Sequence, residues 1–183
     1  MKNKYGAVVF QCFTHEQVKE TDPFLREVPN VFNFDSPQVD PEKLEKQLLE
    51  NMLHYKGLGL SANQIGIPVT VFAMMVDNDP LVVFNPEIIE WSEESTYIRE
   101  GCLSFPGLFI AIERAYGVST RFQLSSGEEQ SGNFINISAK IFQHESEHMD
   151  GEIFIDNVSG FKLKAAMRKR NIYLRKLKRQ KKD

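Results

Sequence analysis

The run Gln143-His144-Glu145-Ser146-Glu147-His148 constrains this chain more than any other feature. Two histidines four residues apart share one face of a helix, one turn from each other. Both imidazoles can then reach a single metal ion, and the Glu145 carboxylate beside them is placed for proton transfer. The spacing predicts a helix opening near Ser138 and ending at Gly151. Two surface histidines on an acidic helix are the plain alternative. A catalytic ion needs three protein ligands and a position for water, so the identity of a third ligand decides between the two.

One zinc-protease arrangement continues as His-x-x-Gly-x-x-His. Here Gly151 falls in place, but Phe154 holds the final position and cannot bind a metal. Glu152 and Asp156 lie close to the helix end, and no further acid or histidine follows until Asp183. Upstream stands Cys102, in Glu100-Gly101-Cys102-Leu103-Ser104-Phe105-Pro106-Gly107. Glycines and a proline bracket it, so the backbone there can approach closely to something. A thiolate is a good soft ligand, which makes Cys102 the preferred partner of His144 and His148. A buried structural thiol and a histidine-activated nucleophile remain as competing readings. The other cysteine, Cys12, sits in the apolar run Val8–Phe13 and reads as core filler, with no disulfide expected in a reducing compartment.

A third segment, Gly57-Leu58-Gly59-Leu60-Ser61-Ala62-Asn63-Gln64, is glycine-rich but lacks the Lys-Ser/Thr of a phosphate loop. Its bare backbone can pair with an extended substrate, and Gln64 can donate a hydrogen bond.

Around these segments the chain reads as one domain with a tail, residues 1–158 and 159–183. Asp40 as N-cap and Pro41 at the first helical position open a helix over about 41–55. Leu44, Leu48, Met52 and Tyr55 give its apolar face, Glu42 and Lys46 a surface pair, and Gly57 its stop. Strands are expected over Val69–Met74, Leu81–Phe84, Val118–Leu124 and Phe134–Ile137, with a turn at Ser125-Ser126-Gly127. A last helix over about 159–180 carries Leu163, Met167, Leu174 and Leu177 among many basic residues. Helix, strand-rich middle and helices make an α+β domain. Eleven of the 22 basic residues and one of the 25 acids fall in 161–183, so this stretch carries +10 and the remainder −13. A tail of that charge suits a polyanion. No apolar run reaches the ~18 residues that cross a bilayer, and no signal peptide is read, so the expected location is cytoplasmic. No second apolar seam is evident, and a monomer is expected.

The three segments resemble, in order, the signatures of peptide deformylase: Gly-x-Gly-Leu-Ala-Ala-x-Gln, Glu-Gly-Cys-Leu-Ser and Gln-His-Glu-x-Asp-His. The resemblance spans about residues 20–157, with Asp22-Pro23-Phe24-Leu25-Arg26 and Asn85-Pro86-Glu87-Ile88 adding to it. The intact Glu100–Ser104 segment looks like the bacterial type. Ser61 replaces an alanine, adding a hydroxyl that needs a partner. Glu147 replaces an aspartate that is not a ligand, and Arg114 is its expected ion-pair partner.

The resemblance implies a deformylase-like α+β fold, mixed antiparallel sheets around a central metal-binding helix with a C-terminal helix. It implies release of formate from N-formylmethionyl nascent peptides. Fe2+ is the implied native metal, with Zn2+, Ni2+ or Co2+ as possible occupants, held by Cys102, His144 and His148. Glu145 becomes general base and then acid, and Gln64 with the Leu103 N–H donates to the oxyanion. The peptide is expected to lie extended along Leu58, Gly59 and Gly101, with its methionine against Ile141 and, less directly, Leu108 and Phe109. The basic tail has two readings, a solvated face on a C-terminal helix packed against the body and a docking element for ribosomal RNA, the second slightly preferred. The competing classes are a zinc metallopeptidase and a non-catalytic ribosome-binding protein.

Overall fold

The computed structural model describes residues 23–180, side chains as far as 176. Expectations for Cys12, the Ala7–Phe10 stretch, Asp22 and the Leu177 side chain lie outside the described residues. Among the described residues there are three α-helices, α1 (Pro41–His54), α2 (Asn136–Met149) and α3 (Gly160–Gln180). Strands β1 (Gly59–Ser61), β2 (Val71–Val76), β3 (Asp79–Trp91), β6 (Gly117–Gln123) and β7 (Glu129–Ile135) form an antiparallel sheet in the order β1-β2-β3-β6-β7. A separate hairpin pairs β4 (Ser95–Glu100) with β5 (Ile110–Ala115).

β2 explains the layering. Its residues are apolar in succession because both faces are covered. Val71 and Ala73 join Leu44, Leu48 and Met52 of α1 in one core, while Phe72 and Met74 join Ala139, Ile141 and Phe142 of α2 in another. The helix that bears both histidines is therefore pressed onto the sheet, and its ligand face looks toward the hairpin. A third, smaller core gathers Cys102, Phe105, Leu108, Ile110 and Ile112 with Ile153–Ile155, and Leu163, Ala166 and Met167 of α3 pack against it. Among the described residues no helix is long and apolar enough to cross a membrane.

Several boundaries differ from the sequence expectation. Asp40 caps α1 as expected, accepting from Lys43 N–H at 3.1 Å. Lys46, however, pairs with Glu50 at 3.8 Å and not with Glu42. The helix is ended by Lys56, at φ 55, and not by Gly57. Gly57 is small for another reason: a Cβ there would meet Leu103 Cδ1 at 2.7 Å. β2 begins at Val71, since Val69 instead bridges Asn30. β3 runs past the expected Phe84, taking Pro86 at an irregularity between Phe84 and Glu87 where the missing N–H costs no ladder bond. α2 starts at Asn136, so Ile137 is helical and not the end of a strand.

Candidate active site and metal centre

α2 carries His144, Glu145 and His148 at 8%, 3% and 0% exposure. The two imidazoles stand nearly perpendicular, ring centres 5.2 Å apart. Facing them, two successive turns (Phe105 N–H to Cys102 O, 2.8 Å; Leu108 N–H to Phe105 O, 3.0 Å) fold the 102–108 loop back on itself. The loop is anchored by Phe105, which stacks edge-on against Phe154. Phe154 in turn lies 5.6 Å from the His144 ring, so the residue that denies the chain a third histidine serves as the floor under the first. Cys102 Sγ comes to 3.4 Å from His148 Nε2. Donor atoms of Cys102, His144 and His148 all lie within 4.8 Å of one another.

Two of the three donors, Cys102 and His144, are held from behind. Gln64 sits on a short 3-10 turn (Ala62–Ile65), its carbonyl accepting from Ser61 N–H at 2.9 Å and Ser61 Oγ–H at 3.0 Å. That leaves its amide donating to Cys102 Sγ (3.2 Å) and Ser104 Oγ (2.9 Å). The hydroxyl introduced by Ser61 is thus partnered, its one proton shared between Gln64 Oε1 and the nearer Asn63 Oδ1 at 2.7 Å. Gln143 fastens α2 to β5, accepting from Ala115 N–H at 3.1 Å and donating to its carbonyl at 3.0 Å.

Arg114 pairs with Glu147, as expected, Nη2 reaching Oε2 at 2.8 Å. It pairs equally with Glu100, Nη2 to Oε1 at 2.6 Å and Nε to Oε2 at 3.1 Å. Glu100 Oε1 also lies 3.3 Å from His144 Nδ1, where a carboxylate fixes ring orientation and raises ligand basicity. Sequence reasoning missed this role of Glu100 and the acceptor role of Ser104. Their adjacency to Cys102 was the only signal available.

The electrostatics favour a cation. Burial works against charging His144, yet Cys102 and Glu100 beside it raise its proton affinity well above the usual imidazole range. Burial, reinforced by the His144 charge, holds His148 far below that range, as a neutral imidazole. Burial pushes Glu145 up to about 7, the His144 charge opposing. Glu145 Oε2 is buried without a hydrogen-bond partner. A thiol and two imidazoles around one point, with an unpartnered carboxylate on the residue next to His144, fit a divalent metal of borderline softness.

A cavity of about 530 Å³ opens over this cluster. Leu58, Gly59, Gln64, Gly101, Leu103 and Ile141 all line it, together with Leu108 and Phe109, while His148 lies behind the wall. The glycines are sites of close approach. A Cβ on Gly59 would collide with the Glu145 carboxylate, and one on Gly101 would meet Leu108 O at 2.9 Å.

The family model for polypeptide deformylase matches residues 15–164, an interval containing every one of these side chains. The chain belongs to the polypeptide deformylase family. The peptide deformylase of Thermotoga petrophila is 41% identical over 139 residues, covering 75% of this chain and 83% of its own length. That of Bartonella tribocorum is 37% identical over 171 residues, covering 88% and 90%. Among solved structures, the peptide deformylase of Thermotoga maritima superposes with a TM-score of 0.71 at 38% identity, over 75% of this chain and 92% of that one. Polypeptide deformylases are metal-dependent hydrolases, and the α+β fold with antiparallel sheets and a C-terminal helix is theirs.

Proposed function

We propose that this chain hydrolyses the formyl amide of N-formylmethionine at the start of nascent peptides and releases formate. The observation that carries this reading is the convergence of Cys102, His144 and His148 donors beneath a cavity whose floor is the Glu145 carboxylate. Cys102, His144 and His148 hold one divalent metal, Fe2+ natively, with Zn2+, Ni2+ or Co2+ able to replace it. The ion, when bound, acidifies a water and polarises the formyl carbonyl.

The chain's own residues do the rest. Gly59 and Gly101, bare of side chains, let an extended peptide lie against the backbone, with Leu58 at the rim. Ile141 receives the methionine side chain. Glu145, buried and raised toward neutrality, takes the water proton and returns it to the departing amine as the formyl C–N bond breaks. The Gln64 amide, its carbonyl already fixed by Ser61, turns the N–H now on Ser104 Oγ to the developing oxyanion, and the Leu103 N–H donates beside it. Backbone recognition suits an enzyme that meets many sequences.

The reading extends to the tail. Residues 159–183 form a basic element in which Leu163 and Met167 face the body while Lys164, Arg168, Lys169 and Arg175 are exposed. Those cations dock the enzyme to ribosomal RNA, and the chain works as a cytoplasmic monomer. Removing residues 169–183 should weaken ribosome binding in a salt-dependent way.

The deciding experiment is formate release from formyl-Met-Ala-Ser with metal analysis, for wild type and Glu145→Ala. The variant should keep its metal and lose nearly all turnover. Wild-type rates in that variant would show that the assigned base is wrong.

A further inference from the structure

Among the described residues Lys140 is the only buried lysine, 5% exposed and one turn before His144 on α2. Lysines are almost never buried to this extent unless paired. Yet Lys140 forms no ion pair and no side-chain hydrogen bond with any described residue. Its ammonium is not among the sealed polar atoms, and its side chain lines the cavity. The burial therefore falls on the aliphatic stem, with the charged end opening on the cavity space.

Neither of the acids lining the same cavity pairs with Lys140. Glu100 holds Arg114 and His144, and Glu145 lies against Gly59. Two further cations line the wall, Lys56 and Arg99, the latter 5.6 Å from the Phe109 ring. The wall is thus cationic, and the counter-charge for Lys140 is left to come from what enters. Adjacent helix positions diverge by about 100°. With Ile141 given to the methionine, Lys140 stands beside it on the same wall, so an acid that reaches its ammonium belongs to one of the residues that follow.

We propose that Lys140 makes this cavity selective for formyl peptides with an acidic side chain at one of the two residues after the methionine. This rests on the deformylase reading and adds a substrate class to it. A carboxylate there meets an ammonium with a buried stem and little orientational freedom to lose, a better pair than two mobile surface charges make.

The test compares formyl-Met-Glu-Ser amide and formyl-Met-Ala-Glu amide with their glutamine counterparts, on wild type, Lys140→Met and Lys140→Arg. For one position, the wild-type glutamate-to-glutamine ratio of kcat/KM should be about fivefold. Lys140→Arg should keep that ratio and Lys140→Met should bring it near one. The preference should reside in KM and shrink as salt is raised. A ratio of one in wild type, or an undiminished ratio in Lys140→Met, overturns the proposal. So does a preference confined to formyl-Met-Ala-Ser acid over its amide, which makes the chain terminus the source of the carboxylate. Should Lys140→Met fail to fold, the wild-type salt titration decides, and a ratio that survives about 0.5 M salt overturns the proposal. No formate from any peptide refutes the deformylase reading and this proposal together, whereas normal turnover with a flat ratio refutes only the role of Lys140.

Discussion

Replacing Gly59 with alanine places a methyl group against the side chain assigned as the base. The new Cβ lies 2.8 Å from Glu145 Cδ and 2.9 Å from Cγ, with Oε1 nearer still. Ordinary contact begins at 3.4 Å, so the carboxylate carbon must retreat by roughly 0.6 Å and Oε1 by more. It is 3% exposed and has little room to do so. The backbone at Gly59 is not in the left-handed region, so alanine adds no torsional strain and the effect is steric alone. A displacement of about 1 Å at a reacting group costs on the order of a hundredfold in rate. Gly59→Ala should therefore lower kcat by about 10- to 100-fold, with an overpacking loss of about 1–3 kcal/mol in stability. The measurement is formate release at saturating peptide, with metal content determined on the same sample. Gly160→Ala is the control, because nothing lies within 4 Å of its Cβ. A Gly59→Ala enzyme with full metal and wild-type kcat would refute the placement of Glu145 as the proton-transfer group.

Other perturbations have defined outcomes. Arg114→Met strands the Glu100 and Glu147 carboxylates, 10% and 18% exposed, and should cost about 3–5 kcal/mol in chemical denaturation. An unchanged unfolding midpoint would remove the triad from the list of supports. Chelation should abolish turnover and lower the melting temperature, because an ion at 100 times its Kd adds about 2.7 kcal/mol. Cys102→Ser should need far more metal for the same recovery, and equal titration curves would exclude the thiolate as a ligand. Asp40 is held below the usual carboxylate range by its hydrogen bond to the Lys43 side chain and then to the Lys43 N–H. Its contribution is present above the unfolded-state value of about 3.9 and lost as pH falls through the lower folded value. Asp40→Asn keeps a capping oxygen but should flatten that part of the stability curve, as thermal melts between about pH 2 and 5 would show.

The centre was legible in the sequence to the extent that its information is local. The spacing of His144 and His148 sets their shared face, and the glycine beside Cys102 marks a close approach. α1 was legible for the same reason, through Asp40, Pro41 and the Leu44–Leu48–Met52 stripe. What remained hidden depends on register between distant segments. Arg114 faces Thr96 across the hairpin and reaches Glu100 on the same strand, and nothing in Ser95–Glu100 announces that partner. Gly57 looked like a helix stop because glycine commonly is one, whereas its size answers to Leu103, 46 positions away in the chain. The expected strand stopped at Phe84, and only the pairing with β6 reveals the irregularity at which the longer β3 takes in Pro86.

The thiol and the imidazoles belong to different packing units. Cys102 is embedded with Phe105, Leu108 and the α3 side chains, while α2 is seated on the sheet through Ala139, Ile141 and Phe142. A cation joining them acts as a rivet between two separately filled interiors, so its removal loosens their seam before it melts either one. Amide exchange in the chelated protein should accelerate first at residues 101–109, with the buried turns of α2 following only at global unfolding.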